Sequence, residues 1–338
     1  MHQPIDLHEV FARYFTGCEA LAYALSSKLA EGNICLDIEQ YKEELRAGGS
    51  GNPLFSPTAE AFERQCNHSE FVTRDVVLPR PFVIYKNKAY LHRYFTYETE
   101  IINNIKRLNG KFHIITGGPG SGKTYSVSLR LLELFAQNPG IKVALAAPTG
   151  KAAARMNESL RKFAEAMDTA QEPVKQKLTA LKAQTIHRLL GYISDSIFFR
   201  HNEDHPLPYD VVIVDECSMI DGALMAKLLN AVGDNTDIYL LGDKDQLASV
   251  EAGSVFGDIC RAAASELLQG KVELKTGTRR FDPQKGIGRF SATLIAGGFT
   301  REPFAEDEQL RFEMLPESDT GNLFRERVLG AESFHTYA

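Results

Sequence analysis

The sequence predicts an α/β fold, a parallel sheet covered by helices on both faces, preceded by a mainly helical N-terminal region. Three observations predict it. From residue 112 onward, short apolar runs ("FHIITG", "VALAAPTG", "VVIVDE" and "IYLLGD") alternate with helical segments. Near-continuous apolar strands suit a sheet buried on both faces, and each run ends in small or acidic residues, where such sheets bind ligands. A glycine-rich turn, "GGPGSGKT", joins the first run to the helical "YSVSLRLLELF". The first hundred residues have a different texture, with apolar residues three to four apart.

Taken in order, "VFARYFTGCEALAYALSSKLAEGN" predicts a helix that stops at Gly32-Asn33, a favourable C-cap. "ICLDIEQYKEELRAGG" follows, and then a loop through Pro53 and Pro57. "FVIYKNKAYLHRYF" predicts a short hairpin, with Asn87 near its turn, running into a helix. No internal repeat or low-complexity segment interrupts the chain.

Composition narrows the function classes. The chain has 338 residues, 43% of them hydrophobic, enough for a sizeable core and about two domains. No apolar run reaches the roughly 18 residues of a membrane span. The N-terminus lacks the basic and apolar regions of a secretory signal. Five scattered cysteines (Cys18, Cys35, Cys66, Cys217 and Cys260) without CxxC spacing point to a reducing cytoplasm and away from a disulfide framework or zinc site. The net charge of −6 does not favour nucleic acid as a partner, although a groove needs only a local basic surface.

The chemistry lies at the strand ends. Gly117, Gly118, Pro119, Gly120, Ser121, Gly122, Lys123 and Thr124 fit G-x-x-x-x-G-K-[ST] between a strand and a helix. Backbone N–H groups of such a loop, with the helix N-terminus behind them, wrap the phosphates of ATP. Lys123 is expected to reach the β- and γ-phosphates, and the Thr124 hydroxyl to hold Mg²⁺. "VVIVDECS" delivers Asp215 and Glu216, one to hold the metal and one to polarise the attacking water. In "LLGDKDQLASV", Gln246 is placed to sense the γ-phosphate; a purely structural Gly-Asp turn is the alternative. In "APTGKAAARM", Lys151 and Arg155 form a small basic face that could meet a phosphate backbone, with a solvated helix face as the alternative.

Together these segments resemble the superfamily 1 DNA helicases, and more narrowly the RecD family, the alpha subunits of exodeoxyribonuclease V. "ITGGPGSGKT", "APTGKAAARM", "QTIHRLLGY", "HPLPYDVVIVDECSMID", "LLGDKDQLASVEAGSVFGDIC" and "RRFDPQKGIGRF" occur in that family's order. The N-terminal "AEGNICLDI" and "AYLHRYFTYE" are also similar to it. The resemblance implies a P-loop NTPase with two RecA-like domains, ATP in the cleft between them and single-stranded DNA across their tops. It implies a cytoplasmic 5′-to-3′ translocase acting on DNA ends in recombinational repair, with beta and gamma partner subunits.

The domains expected on that basis are a helical region at 1–98 and a first RecA-like motor domain at 99–275, with a small hairpin near 194–207. A second motor domain begins at 276–338 and is incomplete, because only about forty residues follow "RRFDPQKGIGRFSATLIAGG". The resemblance also implies that Arg280 reaches the γ-phosphate from the second domain and that Thr149 and His187 lie in DNA-contacting segments. Three departures stand out. Cys217 replaces a usual alanine, a glutamine-bearing helix before the loop is missing, and the family's later motifs are absent. No carboxylate cluster suited to nuclease chemistry occurs outside the ATP set. Two other functions stay open: a nucleotide-binding assembly module without DNA-coupled turnover, and a stand-alone RecD-like helicase.

Overall fold

The computed structural model describes residues 6–48, 54–167, 172–246, 253, 255–275, 282, 285–295 and 297–298. Residues 1–276 form one compact unit and residues 277–338 a second, of which one helix, Gly286–Ile295, is described.

The N-terminal region is helical, as expected, with a small sheet added. The helix predicted up to Gly32 is two helices, α1 (Leu7–Ala12) and α2 (Glu19–Ala30), separated by a turn at Gly17 with φ +82°. Asp6 caps α1 through the amides of His8 and Glu9. The start of α2 is capped from far along the chain: Gln65 accepts hydrogen bonds from the amides of Ala20 and Leu21 at 3.1 and 3.3 Å. The end of α2 falls where the sequence places it, with Gly32 in the left-handed region. Next come β1 (Cys35–Asp37), α3 (Ile38–Arg46), α4 (Ala59–His68) and β2 (Val72–Thr73). The expected hairpin is β3 (Phe82–Tyr85) and β4 (Lys88–Leu91). Lys86 and Asn87 both take positive φ, the two-residue turn that matches the twist of paired strands. The sheet order is β1-β4-β3-β2. Leu21, Leu25, Phe55, Phe62 and Phe82 fill the core beneath it.

Helix α5 (His92–Leu108) leads out of the hairpin and passes through residue 98, the expected domain boundary, without a break. Its Ile101, Ile105 and Leu108 are buried in the core of the larger sheet, each contributing about 1.5–3 kcal/mol. Polar groups fix the same face. Asn104 donates to Asn230, and Arg107 donates to Asn104, to the carbonyls of Leu229 and Val232, and to Asp234.

The larger sheet contains β5 (Phe112–Thr116), β6 (Val143–Ala147), β7 (Gln184–Thr185), β8 (Val211–Val214), β9 (Asp237–Gly242) and β10 (Val272–Leu274). All six strands are parallel, in the order β10-β5-β9-β8-β6-β7. Alternate residues point to opposite faces and both faces are buried, which explains the continuous apolar runs. Ile114, Val212, Val214 and Leu240 pack under α5, α9 (Ile186–Leu190), α10 (Gly222–Asn230) and α11 (Val255–Arg261). Ile115, Val211, Ile213 and Leu241 pack under α6 (Lys123–Gln137), α7 (Gly150–Glu165) and α8 (Glu172–Ala180).

The hairpin expected near 194–207 is not built of paired strands. One isolated bridge joins Tyr192 to Phe199, and Asn202 closes a tight loop by accepting from the amides of Asp204 and His205. Polar side chains such as Asn202 satisfy the local backbone here in place of a ladder. No described helix is long and apolar enough to cross a membrane.

Candidate nucleotide site

Strand β5 ends at the buried Thr116, whose hydroxyl accepts from the amide of Lys244 at 3.1 Å. One residue on, the Gly117 amide donates to the Gly242 carbonyl at 3.2 Å, tying the loop after β5 to the end of β9. Gly117 has no room for a side chain, since a Cβ there would sit 2.5 Å from the Lys275 carbonyl oxygen. Gly120 and Gly122 take φ of +79° and +86°, so the loop turns back on itself before α6 begins at Lys123. The Lys123 ammonium lies over this loop and donates to the carbonyls of Gly117 at 2.5 Å and Gly118 at 3.2 Å.

Strand β8 brings the acidic pair to the same edge. Asp215 accepts from the Glu216 amide at 2.8 Å and hydrogen-bonds with Thr124. Burial pushes its carboxyl above the usual range. The Glu216 charge adds to that push, while the Glu216 amide, Lys123 and Thr124 oppose it. Glu216 has φ +56°, a left-handed conformation uncommon outside glycine, which strains the backbone where the strand ends. Cys217 is wholly buried and donates to the Val214 carbonyl, which makes it a packing residue.

The strand β9 loop completes the edge. The Ser218 hydroxyl donates to the Gln246 side-chain oxygen at 2.7 Å. Gln246 is therefore wired to the turn that carries Glu216. Sequence reading missed Ser218 because its partner lies 28 residues away; its position two residues after the acidic pair was the only local signal.

Two features fit a phosphate group. The Ser121 hydroxyl, inside the loop, is the one buried side-chain polar atom among the described residues with no hydrogen-bond partner. The cradle itself is kept open by glycines whose replacement would clash or strain. Among the described residues no cluster of three or more His, Cys, Asp or Glu side chains is placed to hold a metal ion. A hard cation at Thr124 and Asp215 would therefore share its shell with phosphate oxygens and water, the usual state of Mg²⁺ on a nucleotide.

The remaining expected residues lie farther along the same sheet edge. Thr149, after β6, caps α7 by accepting from the Ala152 amide, so its hydroxyl is already engaged. Lys151 and Arg155 are exposed on α7. His187 is exposed on α9, edge-on to Phe199 with ring centres 5.7 Å apart. Ala147 and Thr185 are paired in register, which puts the segments carrying Thr149 and His187 side by side. Arg280 lies outside the described residues.

A P-loop of this build, with an acidic strand end beside it, matches the AAA domain family over residues 99–252. The RecBCD enzyme subunit RecD of Mycolicibacterium smegmatis is 43% identical over 60% of this chain and 39% of its own length. The same-named subunit of Haemophilus influenzae is 37% identical over 68% of this chain and 40% of its own. The chain is a RecD-like helicase-family sequence. The ATP-dependent RecD2 DNA helicase of Deinococcus radiodurans is 41% identical over 44% of the chain and 18% of its own length. The RecD-like chain thus spans about two fifths of the length of the subunits it matches.

Proposed function

We propose that this RecD-like chain carries the ATP-binding half of a 5′-to-3′ DNA translocase in the cytoplasm. We further propose that it works with beta and gamma partner chains of an exodeoxyribonuclease V-type repair complex. The observation that carries the nucleotide part is the meeting of Thr124 and Asp215 at the mouth of the Lys123 loop. Lys123, Ser121 and the loop amides hold the phosphates, and Thr124 and Asp215 hold Mg²⁺, which neutralises charge on the transferred phosphoryl group. Glu216 orients the attacking water. Gln246, linked through Ser218 to the Glu216 turn, carries the state of the γ-phosphate to the loop after β9. Lys151, Arg155, Thr149 and His187 offer the sheet edge to a single strand. Residues 1–98 are the mainly helical N-terminal domain, 99–275 the first motor domain and 276–338 the start of the second.

The names of the relatives support the complex: each subunit named above is called part of RecBCD. The test is ATP turnover by this chain with and without a single-stranded oligonucleotide. DNA is expected to raise it, and Ser218→Ala to bind ATP normally while losing part of the stimulation. ATP binding with no response to DNA would favour a nucleotide-dependent assembly module.

A further inference from the structure

We infer that the cleft between the β3–β4 turn and the outer face of α5 binds single-stranded nucleic acid, separately from the sheet edge beside the nucleotide. The cleft has a volume of about 580 Å³ and is lined by Lys86, Lys88 and Lys106, with Tyr85, Phe95 and Ile102 between them. The lysines come from three places: the turn, β4, and one exposed face of α5. All three are exposed, and none forms an ion pair among the described residues.

The chain carries a net charge of −6, so gathering three lysines against one lining carboxylate, Glu98, is a local reversal of its character. The Glu98 carboxyl is half-buried, feels the Lys88 charge and shares a hydrogen bond with Tyr90 on the inner wall, so it offsets one of the three lysines at most. The rings give the cleft a second property. Tyr85 is 44% exposed at its mouth. Phe95 meets both Tyr85 and Tyr90 edge-on at 5.6 and 5.4 Å, which holds the Tyr85 ring in place. The Lys86 ammonium lies 5.3 Å from the Tyr85 ring centre.

A ring fixed beside several lysines is the combination that stacks a base while pairing its flanking phosphates. An acidic protein segment would use the lysines and leave the ring idle. A duplex would hide its base faces. The cleft lies on the N-terminal hairpin and α5, whereas Lys151, Arg155 and His187 follow β6 and β7.

The experiment is fluorescence anisotropy with a labelled oligothymidylate and the whole chain, without nucleotide, over a range of salt. It is run in the parent and in Lys123→Ala, so that a failed motor reading leaves it interpretable. Lys86→Ala/Lys88→Ala/Lys106→Ala is expected to weaken binding and to flatten the slope of log affinity against log salt by about 2, at roughly 0.7 per phosphate contact. The corresponding triple arginine variant is expected to keep the parental slope. Tyr85→Ala is expected to weaken binding about tenfold without changing the slope. The alanine variants should melt with the parent, since these side chains are exposed. No binding by the parent, or a triple-alanine slope equal to the parent's, overturns the inference. A polyglutamate peptide that displaces the oligonucleotide and is indifferent to Tyr85→Ala would assign the cleft to an acidic protein segment instead.

Discussion

Replacing Lys123 with alanine is expected to weaken Mg·ATP binding by roughly a hundredfold or more. A hydrogen bond to a charged group contributes about 1.5–3 kcal/mol, and the ammonium is placed to reach two phosphates. Its present partners are the carbonyls of Gly117 and Gly118. Those carbonyls are near the loop mouth and lose little when the ammonium is removed. The loop keeps its other closures, from the Ser121 amide to the Gly118 carbonyl and from the Gly117 amide to Gly242. The variant should therefore melt like the parent while failing to bind a fluorescent ATP analogue. Unchanged affinity would remove Lys123 from the site.

Gly117→Ala should act in the opposite sense, on the fold first. Its new methyl would lie 2.5 Å from the Lys275 carbonyl oxygen and 2.8 Å from the Ser121 hydroxyl. Lys275 cannot move aside freely, because its amide donates to the Thr116 carbonyl at 2.7 Å and β10 is paired with β5. Overpacking of this kind costs about 1–3 kcal/mol, or roughly 2–10 °C in Tm for a domain of this size. Gly118→Ala is the control: nothing lies within 4 Å of its Cβ position, and its melting temperature should stay with the parent's. Equal melting of the two variants would mean that the close approach at Gly117 is not rigid.

The contrast between these glycines marks what the sequence made legible. A contiguous motif between an apolar strand and a helix fixes the Lys123 loop, because strand, turn and helix are all local. It does not tell which glycine is required by φ and which by a neighbour, since Lys275 is far along the chain. The four long apolar runs of the larger sheet were legible because burial on both faces leaves no polar position. The edge strands Gln184–Thr185 and Val272–Leu274 were not, being too short to show a period. The split between α1 and α2 was hidden by apolar spacing that runs through Gly17, and its cap comes from Gln65 on another helix. Near 194–207, where a small hairpin was expected, one antiparallel bridge joins Tyr192 to Phe199 and polar residues close the adjoining turn, a pattern too short and too local to show a strand period. Likewise Ser218 gains a role only through a contact with Gln246 that spans two loops.

The proposed Mg²⁺ site joins a hydroxyl and a carboxylate, Thr124 and Asp215, at the mouth of the loop. It is tested most directly by titrating an ATP analogue with Mg²⁺ and with EDTA, in the parent and in Thr124→Val/Asp215→Asn. The parent is predicted to bind more tightly with Mg²⁺, and the double variant to bind equally in both conditions. A double variant that kept the full gain from Mg²⁺ would contradict the account.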